Sequence, residues 1–142
     1  MAVRKVDHFA IAVRDTATAL HLYVDVLGLQ ALPTIPIESE GTLVTLVGVD
    51  GTRLEILEPL AADTPVGRFL DRHGEGIHHL CFEVDDLGAA CAELAARGYN
   101  VVDPAPRPGL DGRQRVFLHP RSTNGVLVEL YQATDTAEGE RT

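Results

Sequence analysis

Cysteine is scarce in this chain, with two residues, Cys81 and Cys91, among 142. Both sit inside apolar patterns and neither has the spacing of a metal-binding pair. That excludes a disulfide framework as the organising device, and two reduced, buried thiols are expected. Long hydrophobic runs are missing as well. No stretch reaches the roughly 20 apolar residues that a membrane helix needs, and the opening MAVRKVDHFA lacks a signal-peptide pattern. The expected setting is therefore cytoplasmic, with no membrane partner. Basic charge is in deficit, with 12 lysines and arginines against 21 aspartates and glutamates, a net charge of −9. A surface of that sign repels nucleic acid, which is excluded as a partner. The few cations are nearly all arginine, whose planar fork suits phosphate and carboxylate. Arg107, Arg113, Arg115 and Arg121 lie in the second half. They are weak candidates for holding an anionic small molecule, with solvated surface as the competing reading of each.

What the chain does have is 45% hydrophobic residues, enough for a core, and an internal repeat. VDHFAIAVRDTATALHLYVDVLGLQAL lines up with IHHLCFEVDDLGAACAELAARGYNVV. Each opens with a strand pattern that carries a histidine and ends in valine and a charged turn, RD or DD. Each continues as a helix closed by glycine, at Gly28 and Gly98. Ala17, Leu20, Val24 and Leu27 mark the apolar stripe of the first helix; Leu87, Cys91 and Leu94 mark that of the second. GTLVTLVGV and TRLEILEPL form a hairpin about Asp50-Gly51, and RQRVFLHP and GVLVELYQ are its counterpart. Short strands are expected at QAL and NVV. The repeats span about 3–60 and 76–133, linked by 61–75, where PVGRFLDRH reads as a short helix. Residues 134–142 read as a flexible tail. The fold class is α+β.

With the halves in register at Val13 and Val84, His8 falls on His79 and Glu55 falls on Glu129. Strand alternation assigns the faces. Phe9, Ile11 and Val13 claim one side of the first strand and leave His8 on the other. Leu80, Phe82 and Val84 do the same for His79. Leu54 and Ile56 flank Glu55, and Val128 and Leu130 flank Glu129. Two imidazoles and two carboxylates then share the side turned away from the helices. That set suits a divalent transition ion with positions left open for water or substrate. His78 has the opposite parity and reads as a structural residue at the strand entrance. His21, His73 and His119 read as structural or solvated.

DHFAIAV, LEILEPL, GEGIHHLCFEVDD, PRPG and VFLHPRSTNGVLVEL together resemble the vicinal oxygen chelate superfamily, also called the glyoxalase/bleomycin-resistance/dioxygenase fold. Within it the likeness is greatest to the epimerases of methylmalonyl-CoA. The resemblance implies two βαβββ modules forming a curved mixed sheet around a metal-binding cleft. It implies a homodimer, a CoA thioester substrate, and a divalent ion, cobalt first and otherwise zinc, manganese or nickel. The implied ligands are His8, Glu55, His79 and Glu129. The implied reaction is epimerisation of (2R)/(2S)-methylmalonyl-CoA, with the C2 proton removed and returned through a metal-stabilised enolate. Glu129 and Glu55 are the candidate bases. Some members carry a further glutamate where this chain has Val44. Glu38 and Glu40 are weaker candidates as bases, while Glu58 and Glu83 are set aside. The alternatives are a glyoxalase I-like lactoylglutathione lyase, which would use the same ligands, and a non-catalytic small-molecule-binding relative.

Overall fold

Short caps and glycine turns punctuate the chain. In the computed structural model, which describes residues 1–103 and 105–134, Asp15 accepts a hydrogen bond from the Thr18 N–H and opens α1 (Thr16–Leu20). Asp86 does the same through Ala89 for α3 (Leu87–Ala96). The acidic member of each charged turn is thus an N-cap, worth about 1 kcal/mol. Gly28 and Gly98 take left-handed backbone, with φ of 79° and 85°, as the helix ends require. The tail read over 134–142 lies, from 135 on, outside the described residues.

The residues group into two compact units, 8–79, and 1–7 together with those from 80 onward. In the first, β1 (Val3–Ala12) contributes its residues from His8 on and runs parallel to β5 (Thr52–Pro59). β5 pairs antiparallel with β4 (Thr42–Val49). β4 in turn takes two short strands, β2 (Gln30–Ala31) and β3 (Ile35–Ile37). Val13, Val47 and Ile56 are buried at the centre of this unit's core, with Ile11, Ala19, Leu20, Tyr23, Leu29 and Leu54 packed around them. The apolar side of each strand therefore meets the helix, as alternation predicts.

The helical stripe differs from the expected one. Ala19, Leu20 and Tyr23 face the core, while Leu27 is 57% exposed. After Leu20 the helix widens into a π-helical segment, His21–Val26, in which the Leu27 N–H reaches back to the Leu22 carbonyl. A turn closed over five residues rotates the following side chains off a 3.6-residue stripe.

The second unit repeats the strand logic. β6 (Gly76–Val84), from Leu80 on, runs parallel to β9 (Val128–Gln132). β9 pairs antiparallel with β8 (Gln114–Leu118), and β8 with β7 (Arg107–Pro108). Val84, Leu87, Ala90, Val116 and Leu130 are its buried core, joined by Phe82, Cys91, Leu94, Val101 and Val128. All three stripe residues expected of α3 are there. NVV contributes a single bridge, Val101 to Leu118. Each half thus carries a strand, a helix and further strands, the mixed-sheet α+β class. No helix among the described residues is long and apolar enough to cross a membrane.

The expected short helix is α2 (Pro65–His73), and it belongs to the first unit. Thr64 caps it by accepting from the Gly67 N–H at 3.0 Å. Gly67 presses against the preceding backbone: a Cβ there would stand 2.4 Å from the Ala62 carbonyl oxygen and 2.6 Å from that of Ala61. In an open helix Gly→Ala gains about 1 kcal/mol. Here the clash is with backbone and decides the sign. We expect Gly67→Ala to lower unfolding free energy by about 1–3 kcal/mol in urea denaturation; a more stable variant would refute the close approach.

Candidate metal centre

Register decides which polar side chains meet. In the β1–β5 ladder Ala10 stands opposite Glu55, and His8 opposite Arg53. Glu55 is therefore the diagonal neighbour of His8 on the same face. Ala10 and Ala12, which follow His8 on that face of β1, are fully buried and too small to fill the space beside an imidazole. His8 is 0% exposed, and Glu55 and His79 are 6% exposed.

His8 meets two of the other predicted ligands within the first unit. His8 Nε2 lies 3.4 Å from Glu55 Oε2 and 3.1 Å from His79 Nε2. The two rings meet edge to face, with centroids 5.2 Å apart and planes at 78°. Ligand bonds of about 2.0–2.2 Å place adjacent donor atoms on one ion roughly 2.9–3.5 Å apart. Both distances fall in that interval. Two imidazole nitrogens and a carboxylate oxygen also match the donor preferences of zinc, cobalt and nickel. The residues present fit a divalent ion. His79 Nδ1 also lies 3.0 Å from Nδ1 of His78.

Glu129 belongs to the second unit, where the ladder repeats the pattern of the first. Cys81 stands opposite Glu129, as Ala10 stands opposite Glu55. On the other flank Phe117 pairs with Glu129, as Leu46 pairs with Glu55. Glu129 is 4% exposed. Its Oε2 lies 3.7 Å from Arg115 Nε, and the Arg115 guanidinium stacks over the Phe117 ring at 4.8 Å. A buried carboxylate needs such a partner, because desolvation costs several kcal/mol per ion. Parity along β8 could have signalled this pair, since Arg115 and Phe117 share the face of Glu129.

The predicted anion-binding arginines have different surroundings. Arg113 reaches Asp111 at 2.8 Å, Glu83 at 3.1 Å and Asp7 at 3.2 Å, and it covers the Tyr131 ring at 4.5 Å. Burial works against its charge, but Asp7 and Asp111 outweigh that and push its pKa up. Arg115 lies against Glu129. Arg107 is exposed and lies 3.5 Å from Asp103, and Arg121 is exposed in the turn that follows Pro120.

The acids set aside by sequence have structural partners. Glu58 accepts from both the N–H and the hydroxyl of Thr16, each at 2.7 Å, and so ties β5 to the start of α1. Glu83 pairs with Arg113. Glu38 and Glu40 sit in an exposed 3₁₀ turn. Val44 is buried and stands opposite Leu57, diagonal to Glu55 on the same face.

Residues 7–117 match the family described as the Glyoxalase/Bleomycin resistance protein/Dioxygenase superfamily. A mitochondrial methylmalonyl-CoA epimerase of Dictyostelium discoideum is 37% identical over 131 residues, covering 92% of this chain and 79% of that protein. The crystal structure of methylmalonyl-CoA epimerase from Mycobacterium tuberculosis superposes with a TM-score of 0.87 at 30% identity, covering 96% of this chain and 93% of the other. A variant of the Streptomyces coelicolor methylmalonyl-CoA epimerase, solved in complex with 2-nitronate-propionyl-CoA, gives a TM-score of 0.85 at 32% identity, covering 94% and 99%.

The arginine cluster makes its own prediction. Arg113→Met keeps most of the side-chain volume and removes the cation from the buried Asp7 and Glu83 carboxylates. Stability by chemical denaturation should fall by about 3–5 kcal/mol; a loss within the range of surface substitutions would show that the cluster is not an integrated buried network.

Proposed function

The chain belongs to the glyoxalase/bleomycin resistance protein/dioxygenase superfamily, and on that footing we propose that it epimerises methylmalonyl-CoA at C2. The observation that carries this reading is buried His8 in contact with both Glu55 and His79, metal-type donors beside fully buried alanines. Relatives that are epimerases by name, similar over nine tenths of the chain, supply the substrate class. We read the chain as a duplication, about 3–60 and 76–133, in which each repeat supplies one imidazole and one carboxylate. The ligand set is then His8, Glu55, His79 and Glu129.

The C2 proton lies between a thioester carbonyl and a carboxylate, and removing it leaves negative charge on oxygen. A divalent ion at these ligands supplies Lewis-acid stabilisation of that charge. The protein must also accept a proton at one face of C2 and return one at the other. Glu129 is one base. The Arg115 guanidinium 3.7 Å away orients it and balances its charge without offering a competing acceptor. Glu55 is the other base, since Val44, its diagonal neighbour on β4, has nothing to accept a proton. General-base action of this kind is worth about 10²–10⁴ in rate.

For the CoA phosphates, Arg107 and Arg121 are the exposed arginines of the four. Arg113 and Arg115 act through the carboxylates they hold. The working form in this reading is a cytoplasmic homodimer loaded with cobalt. Zinc, manganese and nickel are the other ions considered for these donors.

Two measurements test the reading. Metal titration should find about one divalent ion per chain, with tight binding lost in His8→Ala and in His79→Ala; full occupancy in both variants would reject the ligand set. Deuterium exchange at C2 of methylmalonyl-CoA in D₂O should stop with a chelator present. It should slow by about 10²–10⁴ in Glu129→Gln, and a wild-type exchange rate in that variant would remove Glu129 as a base.

A further inference from the structure

His79 has two ring nitrogens and the ligand reading uses only one. Its Nε2 faces His8, while its Nδ1 lies 3.0 Å from Nδ1 of His78. A neutral imidazole donates from one nitrogen and accepts at the other. To offer a lone pair at Nε2, His79 must carry its proton on Nδ1. The facing nitrogen of His78 must then accept the hydrogen bond from that N–H, which leaves the His78 proton on Nε2.

His78 is held so that it can do this. Its half-buried ring meets Phe69 edge to face, with centroids 4.9 Å apart and planes at 67°. Phe69 stands on α2, and it also meets the His73 ring at 4.9 Å. The helix beneath is itself fixed. Thr64 caps it, Gly67 is wedged against the Ala61 and Ala62 carbonyls, and the Arg14 guanidinium donates to the Leu70 carbonyl at 3.3 Å.

We propose that His78 is a positioning residue that, braced by Phe69 of α2, fixes the tautomer and ring orientation of His79. The proposal rests on the reading of His79 as a metal ligand. Metal-binding histidines almost always donate their second N–H to a carboxylate, carbonyl or water, and losing that partner costs about 10–100-fold in metal affinity. An imidazole acceptor does the same work without adding another negative charge beside the buried Glu55.

The test compares Zn²⁺ dissociation constants, measured by competition with a chromophoric chelator, for wild type, His78→Leu, His78→Asn and His79→Ala. The leucine variant should bind about 10–100-fold more weakly. The asparagine variant, whose amide oxygen can accept the same hydrogen bond, should return close to wild type. A leucine variant with wild-type affinity overturns the proposal, as does an asparagine variant as weak as the leucine one. Unchanged Zn²⁺ affinity in His79→Ala would instead reject His79 as a ligand, and this proposal with it. A second measurement needs no variant. Long-range ¹H–¹⁵N correlation on the Zn²⁺-loaded wild-type protein should find His79 protonated at Nδ1 and His78 at Nε2; the reverse assignment overturns the proposal.

Discussion

Burying ionisable groups on a sheet face is the constraint that organises this protein. A carboxylate taken out of water without a partner costs several kcal/mol, a large part of the stability of a domain this size. The buried acids here therefore lie beside specific polar or cationic groups. Glu55 lies against His8. Glu129 lies against Arg115. Asp7 and Glu83 share Arg113. The arginines, few in a chain of net charge −9, are placed where they offset such burial. That is why three of the four with an anion-binding look in sequence, Arg107, Arg113 and Arg115, lie against the protein's own carboxylates.

The two faces of the strands divide the labour. One face is apolar and packs on helices, which holds the unit together: Val13, Val47 and Ile56 in one core, Val84, Val116 and Leu130 in the other. The opposite face trades packing for chemistry. It carries Ala10, Ala12 and Cys81, small and completely buried, next to the polar residues. Larger apolar side chains there would stabilise the fold and fill the space the imidazoles need. Sites of function are where local rules of stability are broken, and the cost is carried by the better-packed side.

The helices serve the site indirectly. Thr16, the first residue of α1, is tied to β5 through Glu58, so the helix start and the strand carrying Glu55 move as one. α2 supports Phe69 and, through it, the His78–His79 pair. A segment that reads as a linker thus becomes a brace. The Gly67 contact shows how tightly it is seated.

Much of this was legible in the sequence, for definite reasons. Strand periodicity of two is exact, so parity alone put His8, Glu55, His79 and Glu129 opposite the apolar core side, and the likeness of the two sequence stretches supplied the register between them. Capping and glycine chemistry are equally local, so the helix ends at Gly28 and Gly98 and the helix at 65–73 could be read directly. Tertiary structure alone decided the rest. The π-helical turn carried Leu27 off the first helical stripe, because a turn closed over five residues breaks the 3.6-residue period. The pairing of Arg113 with three carboxylates, and of His78 with both Phe69 and His79, depends on which surfaces become dry. Desolvation is a property of the folded chain, and no spacing of residues along it records that quantity.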